Sequence, residues 1–250
     1  LILACGEGSR LAADGVQTPK AFVDIAGVPQ LLRLVEQFHA LGCPSITCML
    51  HESACDWLRT AVDDRIRRAA RRIEALARVV PCRTPSSLHT FVDALTHVQP
   101  GWVFAAMVDS VMSPNDWASV FASSSRWLAR GADAVLAVTP ARDHDDAPLW
   151  VALEHAQRVI AIGPDAAPAA EHVTGGVYAF AEAARARAAE TLASGGHRMR
   201  IFLRGLVASG LDVRAVAIPR IIDIDHRDDL DRANTYMKLF HSADVVGELP

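Results

Sequence analysis

Short apolar runs of strand length alternate along this chain with stretches whose apolar residues recur at helical spacing, and this alternation limits the fold more than any other feature. The runs are Leu1 to Ala4, Ile46 to Leu50, Trp102 to Val108, Ala134 to Val138, Val173 to Phe180 and Val213 to Ile218. They are apolar nearly throughout rather than at every second position, the pattern of strands covered on both faces. Between them, Gln30 to Leu41, Cys55 to Ala77, Leu88 to Val98, Asn115 to Ala129 and Arg227 to Phe240 read as amphipathic helices. Strands alternating with helices imply right-handed βαβ crossovers and an α/β, doubly wound, mostly parallel sheet. The rhythm changes near Pro148 to Gly163. There Leu149 to Leu153 and Arg158 to Ile162 flank Glu154-His155-Ala156-Gln157 like a hairpin.

At 250 residues and 51% apolar content the chain can bury one core, so a single domain is expected over 1–250. A net charge of −4 gives no footprint for nucleic acid, although a small anion can still be held by local positive charge. No apolar run reaches membrane-spanning length, and no basic segment precedes a signal-peptide core. The composition is compatible with a homo-oligomer. Cys5, Cys43, Cys48, Cys55 and Cys82 form no C-x-x-C pair and are odd in number, which predicts reduced thiols in a cytoplasmic protein. The opening run Leu1-Ile2-Leu3-Ala4 has no initiating Met, so the first strand is expected to start upstream.

The densest local signal follows that run. Cys5-Gly6-Glu7-Gly8-Ser9-Arg10-Leu11 leads, after a short interval, to Thr18-Pro19-Lys20. A strand running into a glycine-rich loop exposes backbone N–H groups, which can ring a phosphate only where no side chain blocks it. Gly6 and Gly8 give that access, Arg10 can fork two phosphate oxygens, and Lys20 adds a point charge. Leu11 stands where a dinucleotide fingerprint needs its third glycine, and no Gly-Lys-Ser/Thr completes a Walker loop. Three further segments stand out: Thr84-Pro85-Ser86-Ser87 before a helix, the buried run ending in Asp109-Ser110, and Ile221-Ile222-Asp223-Ile224-Asp225. Ser86 or Ser87 suits an N-cap, and Ser113-Pro114 suits the start of the next helix, leaving Asp109 free for other work. Asp223 and Asp225 flank Ile224 on a strand-like stretch, and only one of them is expected to face a shared site. Asp228 and Asp229 read as first-turn acids of the closing helix.

In these motifs the chain resembles the sugar-1-phosphate nucleotidyltransferases and their MobA-like relatives that activate molybdopterin, choline phosphate or muramic acid phosphate. Their opening signature appears here as Gly6-x-Gly8-x-Arg10-Leu11, Pro19-Lys20-Ala21-Phe22-Val23 and Gly27-Val28-Pro29. Cys5 replaces the usual Ala or Gly, and Gln30 follows Pro29 where an apolar residue is common. The resemblance runs the length of the chain. It implies a Rossmann-like fold of the nucleotide-diphospho-sugar transferase type, with a nucleotide-binding half near 1–140 and an acceptor half plus closing helix near 141–250. It further implies NTP binding by Gly6, Gly8, Ser9, Ser86, Ser87, His89 and Thr90, with Arg10, Lys20 and Asp109 catalytic. Mg²⁺ would sit on Asp109 with Asp225, or with Asp223, Asp225 being slightly favoured. Glu171, Thr174 and Gly176 fall where the family holds its acceptor, with Thr174 in place of the usual Asn.

The implied reaction is attack by an acceptor phosphate oxygen on the α-phosphorus of an NTP, releasing pyrophosphate. The nucleophile is already an anion, so positioning and charge stabilisation suffice without a general base. A glycosyltransferase of related fold is disfavoured by Gly-x-Gly-x-Arg with Pro-Lys. A silent nucleotide-sugar-binding regulatory subunit is disfavoured by the presence of Arg10, Lys20, Asp109 and Asp225 together. No repeat-rich acyltransferase extension follows, which predicts a monofunctional enzyme. The arginines from Arg65 to Arg72 read as a solvated helix face, and Arg142-Asp143-His144-Asp145-Asp146 as a polar loop.

Overall fold

A computed structural model describes residues 1–141, 148–167 and 170–244, which places the stretch Arg142-Asp143-His144-Asp145-Asp146 outside the described residues. In chain order the elements begin with β1 (Ile2–Ala4), α1 (Ser9–Ala13), β2 (Asp24–Ile25), β3 (Val28–Pro29) and α2 (Gln30–Ala40). Next come β4 (Thr47–His51), α3 (Glu52–Thr60), α4 (Asp64–Leu76), β5 (Arg78–Cys82), α5 (Ser87–Leu95) and β6 (Val103–Met107). Then follow β7 (Ser110–Val111), α6 (Pro114–Ala129), β8 (Ala134–Pro140), β9 (Trp150–Glu154), β10 (Arg158–Ile162) and β11 (His172–Phe180). The chain continues with α7 (Glu182–Ala193), α8 (Met199–Ala208), β12 (Val213–Ala217), β13 (Ile222–Asp223) and α9 (Arg227–Asp244). Among the described residues, no helix is long and apolar enough to cross a membrane.

The chain divides into two compact units. The first comprises Ile2–Arg83, Met107–Trp117 and Ile222–Pro250. Its β4 pairs in parallel with β1 (Leu3↔Met49) and with β5 (Met49↔Val80), and every residue of β4 is buried. The strand β5 gives no apolar run because Arg78 and Pro81 are exposed, and it lies at the end of the strand order, where a proline removes no needed hydrogen bond. The span Cys55 to Ala77, read from sequence as one helix, is two. The first helix ends at Thr60, Val62 is 85% exposed, and the Asp63 carboxylate caps α4 by accepting the Arg65 N–H at 2.7 Å. A second, two-stranded sheet pairs β7 with β13 antiparallel, Ser110 opposite Asp223 and Val111 opposite Ile222. Beneath it Leu11, Val23, Ile25, Val111, Ile222, Ile224, Ala233 and Met237 form one apolar cluster that seats α9.

The second unit comprises Leu1, Thr84–Ala106 and Ala118–Ile221. Its long strand β11 runs antiparallel to both β6 and β8, and β12 pairs in parallel with β8. The sheet is therefore mixed within an α/β architecture, because an apolar run buried on both faces looks the same whichever way the strand points. The hairpin expected around Glu154 to Gln157 forms, with β9 and β10 antiparallel across it. Phe91 of α5, Phe180 of β11 and Phe202 of α8 meet with ring centroids 5.1 to 5.7 Å apart. Aromatic contacts of this kind add to area burial in fixing the two helices on the strand.

The five cysteines depart from expectation. Cys5 and Cys82 are joined in a disulfide, while Cys43, Cys48 and Cys55 remain free. The two partners are 77 residues apart, so no local motif announces them. They meet because β1, β4 and β5 are parallel, which brings the residue after β1 and the last residue of β5 to the same end of the strands.

Candidate functional site

Gly6, Gly8, Arg10, Lys20, Asp109, Asp223 and Asp225, all singled out in the sequence, lie within the first unit. Gly8 is the N-cap of α1 and sits in the left-handed region at φ 66°. A Cβ there would also lie 3.2 Å from the Lys20 Cβ, so glycine is required by conformation and by the close approach of lysine. Gly6 is open on its side-chain side, where an added Cβ would meet nothing within 4 Å. Helix α1 then presents Arg10, and the one-turn 3-10 helix Lys20–Phe22 presents Lys20.

Lys20 is the hinge of the charge arrangement. Its side chain is only 9% exposed, and Nζ donates to Asp109 Oδ2 at 2.7 Å and to Asp225 Oδ1 at 2.9 Å. Arg10 pairs with the other oxygen of Asp225, but its side chain is 54% exposed, so solvent weakens that pair. Burial opposes the lysine charge, yet Asp109, Asp223 and Asp225 together outweigh it and raise the Lys20 pKa. Asp225 shifts the other way: partial burial works against its ionised form, but Lys20 and then Arg10 hold its carboxyl below the usual range. Asp223 is pushed well above that range, first by desolvation of its carboxyl and then by the charge of Asp109. The residue as a whole is exposed, and the negative charge of Asp109 and Asp225 beside it disfavours a third ionised carboxylate.

Asp109, Asp223 and Asp225 each offer a carboxylate oxygen, and these oxygens lie within 4.8 Å of one another. The expectation that only one of the two later acids faces the site is therefore corrected. Residues two apart on a strand share a face, and the Ile224 N–H donates to Asp109 O at 3.2 Å in the same register that sets Asp223 opposite Ser110, so both acids fall on one side of the segment. The chain then enters α9, whose start is fastened twice. Asp229 accepts the N–H groups of Asp225 at 3.0 Å and His226 at 2.7 Å, and Asp14 accepts the Arg227 N–H at 3.1 Å. The His226 ring also lies 2.9 Å from Asp14, and these contacts hold the Asp14 carboxyl below its usual range, the backbone bond from Arg227 contributing most. Sequence reading treated Asp229 as a first-turn acid and passed over Asp14. An Asp-Gly pair at Asp14-Gly15 signals only a turn, and the partner of Asp14 lies at the far end of the chain.

The residues read as base-contacting and acceptor-contacting belong to the second unit. Ser86 caps α5 through the His89 N–H, lies 2.8 Å from the His89 ring, and bonds the His197 carbonyl. Ser87 Oγ accepts the Met199 N–H at 3.2 Å, and the Thr90 hydroxyl is buried against Thr84 at 2.5 Å. The rings of His89 and His197 stack at 5.6 Å, a contact with no local sequence signal. Thr174 donates its hydroxyl to Ala137 O at 3.1 Å. Near it β11 shifts register against β8, at Gly175 and Gly176. Gly176 has φ 78°, and a Cβ on Gly175 would lie 2.3 Å from Ile221 Cγ2, so this stretch depends on having no side chains. Glu171 receives the Ala141 N–H on its carbonyl at 3.0 Å. Ser113 caps α6 by accepting the Asp116 N–H at 3.1 Å, as expected.

The family model for the MobA-like NTP transferase domain matches residues 1–209, more than four fifths of the chain. The chain belongs to the MobA-like NTP transferase family. Lys20 and Asp109 lie inside the matched stretch, while Asp223 and Asp225 lie beyond it. No curated protein matches the chain. Among solved structures, the chain is similar to the inositol-1-phosphate CTP transferase from T. maritima, with a TM-score of 0.72 and 16% identity over 91% of this chain and 89% of that one. An apo UDP-glucose pyrophosphorylase gives a TM-score of 0.75 at 13% identity, covering 96% of this chain and 98% of that one. The CTP:phosphocholine cytidylyltransferase from Streptococcus pneumoniae gives 0.68 at 16% identity, covering 94% and 97%. These likenesses bear on the fold, which is that of the nucleotide-diphospho-sugar transferases.

Proposed function

We propose that this NTP transferase moves a nucleoside monophosphate from an NTP to a sugar-1-phosphate or similar phosphorylated small molecule, releasing pyrophosphate, with Mg²⁺ as its cation. The observation that supports this best is the buried Lys20 ammonium set between Asp109 and Asp225 beside the Gly6 to Gly8 loop. Three carboxylates with oxygens within 4.8 Å of one another suit a hard, oxygen-preferring divalent ion. When bound, the ion supplies charge neutralisation for the triphosphate.

Arg10, exposed at the first turn of α1, is the residue proposed to fork phosphate oxygens, and Gly6 leaves the loop backbone open to them. Lys20, fixed by two carboxylates, contributes an ammonium that is preorganised rather than recruited from solvent. Ser86, Ser87, His89 and Thr90 are the residues proposed to meet the base, and Glu171, Thr174 and Gly176 the acceptor. Structures of similar fold act on inositol 1-phosphate, UDP-glucose and phosphocholine by name, so the acceptor panel should span cyclitol, hexose and choline phosphates. Purified protein with Mg²⁺, each of the four NTPs plus dTTP, and that panel should release pyrophosphate with one pair. Loss of that release in Lys20→Ala, on the order of 10²- to 10³-fold, is expected. Silence with every pair, while nucleotide sugars still raise the melting temperature, would instead indicate a regulatory binder.

A further inference from the structure

Gln30 opens α2 directly after the Gly27-Val28-Pro29 turn and is fully buried. A primary amide taken from water into the core is unfavourable unless its hydrogen bonds are remade. Here Nε2 donates to Val108 O at 3.0 Å and to Ser110 O at 3.1 Å, while Oε1 has no partner among the described residues. Both acceptors are carbonyl oxygens, so only the NH₂ side of the amide can face them. The two donors are thus what the position uses.

Those two carbonyls flank Asp109. The carbonyl of Asp109 itself accepts the Ile224 N–H at 3.2 Å, and the Val108 N–H donates to Leu3 O at 3.0 Å. The backbone of three successive residues is held from β1, from α2 and from the segment after β13. Val108 and Ser110 are buried, so water cannot take over the carbonyl bonds if the amide is removed. With the backbone fixed, the Asp109 carboxylate is delivered to Lys20 and to within 4.8 Å of Asp223 and Asp225. An apolar residue of similar size would fill the volume but supply no donor.

We propose that Gln30 is a positioning residue that fixes the Asp109 carboxylate for divalent-cation binding, an inference resting on the reading of Asp109 as a cation ligand. Partners that orient a metal ligand typically change affinity 10- to 100-fold when lost. The test titrates Mn²⁺ alone into the full chain and follows free Mn²⁺ by electron paramagnetic resonance. The variants are Gln30→Met, Asp109→Asn and Leu34→Ala, the last a core change on the same helix away from the loop. Gln30→Met should raise the Mn²⁺ dissociation constant about 10-fold, and Leu34→Ala should leave it unchanged although it lowers thermal stability. Wild-type affinity in Gln30→Met, or equal weakening in Leu34→Ala, overturns the positioning role. Mn²⁺ binding that survives Asp109→Asn overturns the metal reading, and this inference with it. Should Gln30→Met fail to fold, Gln30→Glu keeps the side chain's size but offers at most one donor, and the same weakening is expected.

Discussion

Replacing Lys20 with Met separates the lysine's structural role from its chemical one. The side chain is 9% exposed, and its partners Asp109 and Asp225 are 19% and 35% exposed. Removing one member of a fully buried ion pair costs about 3 to 5 kcal/mol, because the remaining charge is left uncompensated. Partial solvation of Asp225 reduces that, as does proton uptake by the neighbouring carboxylates, so roughly 2 kcal/mol is expected in metal-free buffer. For a chain of this size, that corresponds to a fall in Tm of roughly 4 to 8 °C. Adding millimolar Mg²⁺ should raise the Tm of Lys20→Met by more than it raises the wild type, since the three carboxylates have lost their internal cation. Turnover should nevertheless stay low, because a cation on the carboxylates does not replace the ammonium proposed to meet the phosphates. Differential scanning fluorimetry with EDTA and then Mg²⁺, run beside a pyrophosphate-release assay, reads both effects. A variant with wild-type Tm in EDTA, or with no larger response to Mg²⁺ than the wild type, would refute the claim that Lys20 neutralises this cluster.

Gly8→Ala should lower both stability and activity, since it combines a left-handed backbone with a Cβ 3.2 Å from that of Lys20. A loss of roughly 1 to 3 kcal/mol in urea unfolding is expected, and an unchanged midpoint would count against it. Breaking the Cys5 to Cys82 bond, which spans 77 residues, should destabilise by roughly 2 to 4 kcal/mol. Maleimide labelling of the denatured, unreduced chain should then find three free thiols, and five after reduction. Asp14 has a lowered folded pKa, so its contribution is fully present above its ordinary value of 3.8 and is lost as pH falls through the lower folded value. In urea unfolding from about pH 5 to about pH 2.5, Asp14→Asn should therefore show a shallower acid limb than the wild type, and identical limbs would remove the Asp14 latch as a cause.

The sequence by itself determined the α/β class, most strands and helices, the cap Ser113, a second cap at Ser86 or Ser87, and the charged residues Arg10, Lys20, Asp109, Asp223 and Asp225 of the candidate site. These depend on local physics: runs of apolar side chains, glycine access and the hydrogen-bonding habits of short hydroxyl side chains. Tertiary structure decided what depends on chain segments meeting. The direction of β11 was hidden because burial on both faces carries no sense of direction. Cys5 and Cys82 paired because three parallel strands end together, and β5 was concealed by Arg78 and Pro81 at the sheet edge. Most consequentially, only one of Asp223 and Asp225 was expected to face the site, yet both reach Asp109, because residues two apart share a strand face and the pairing of β13 with β7 carries on to the Ile224 N–H and Asp109 O. Period two fixes which residues of a segment share a face, but only the pairing with the partner strand decides what that face meets.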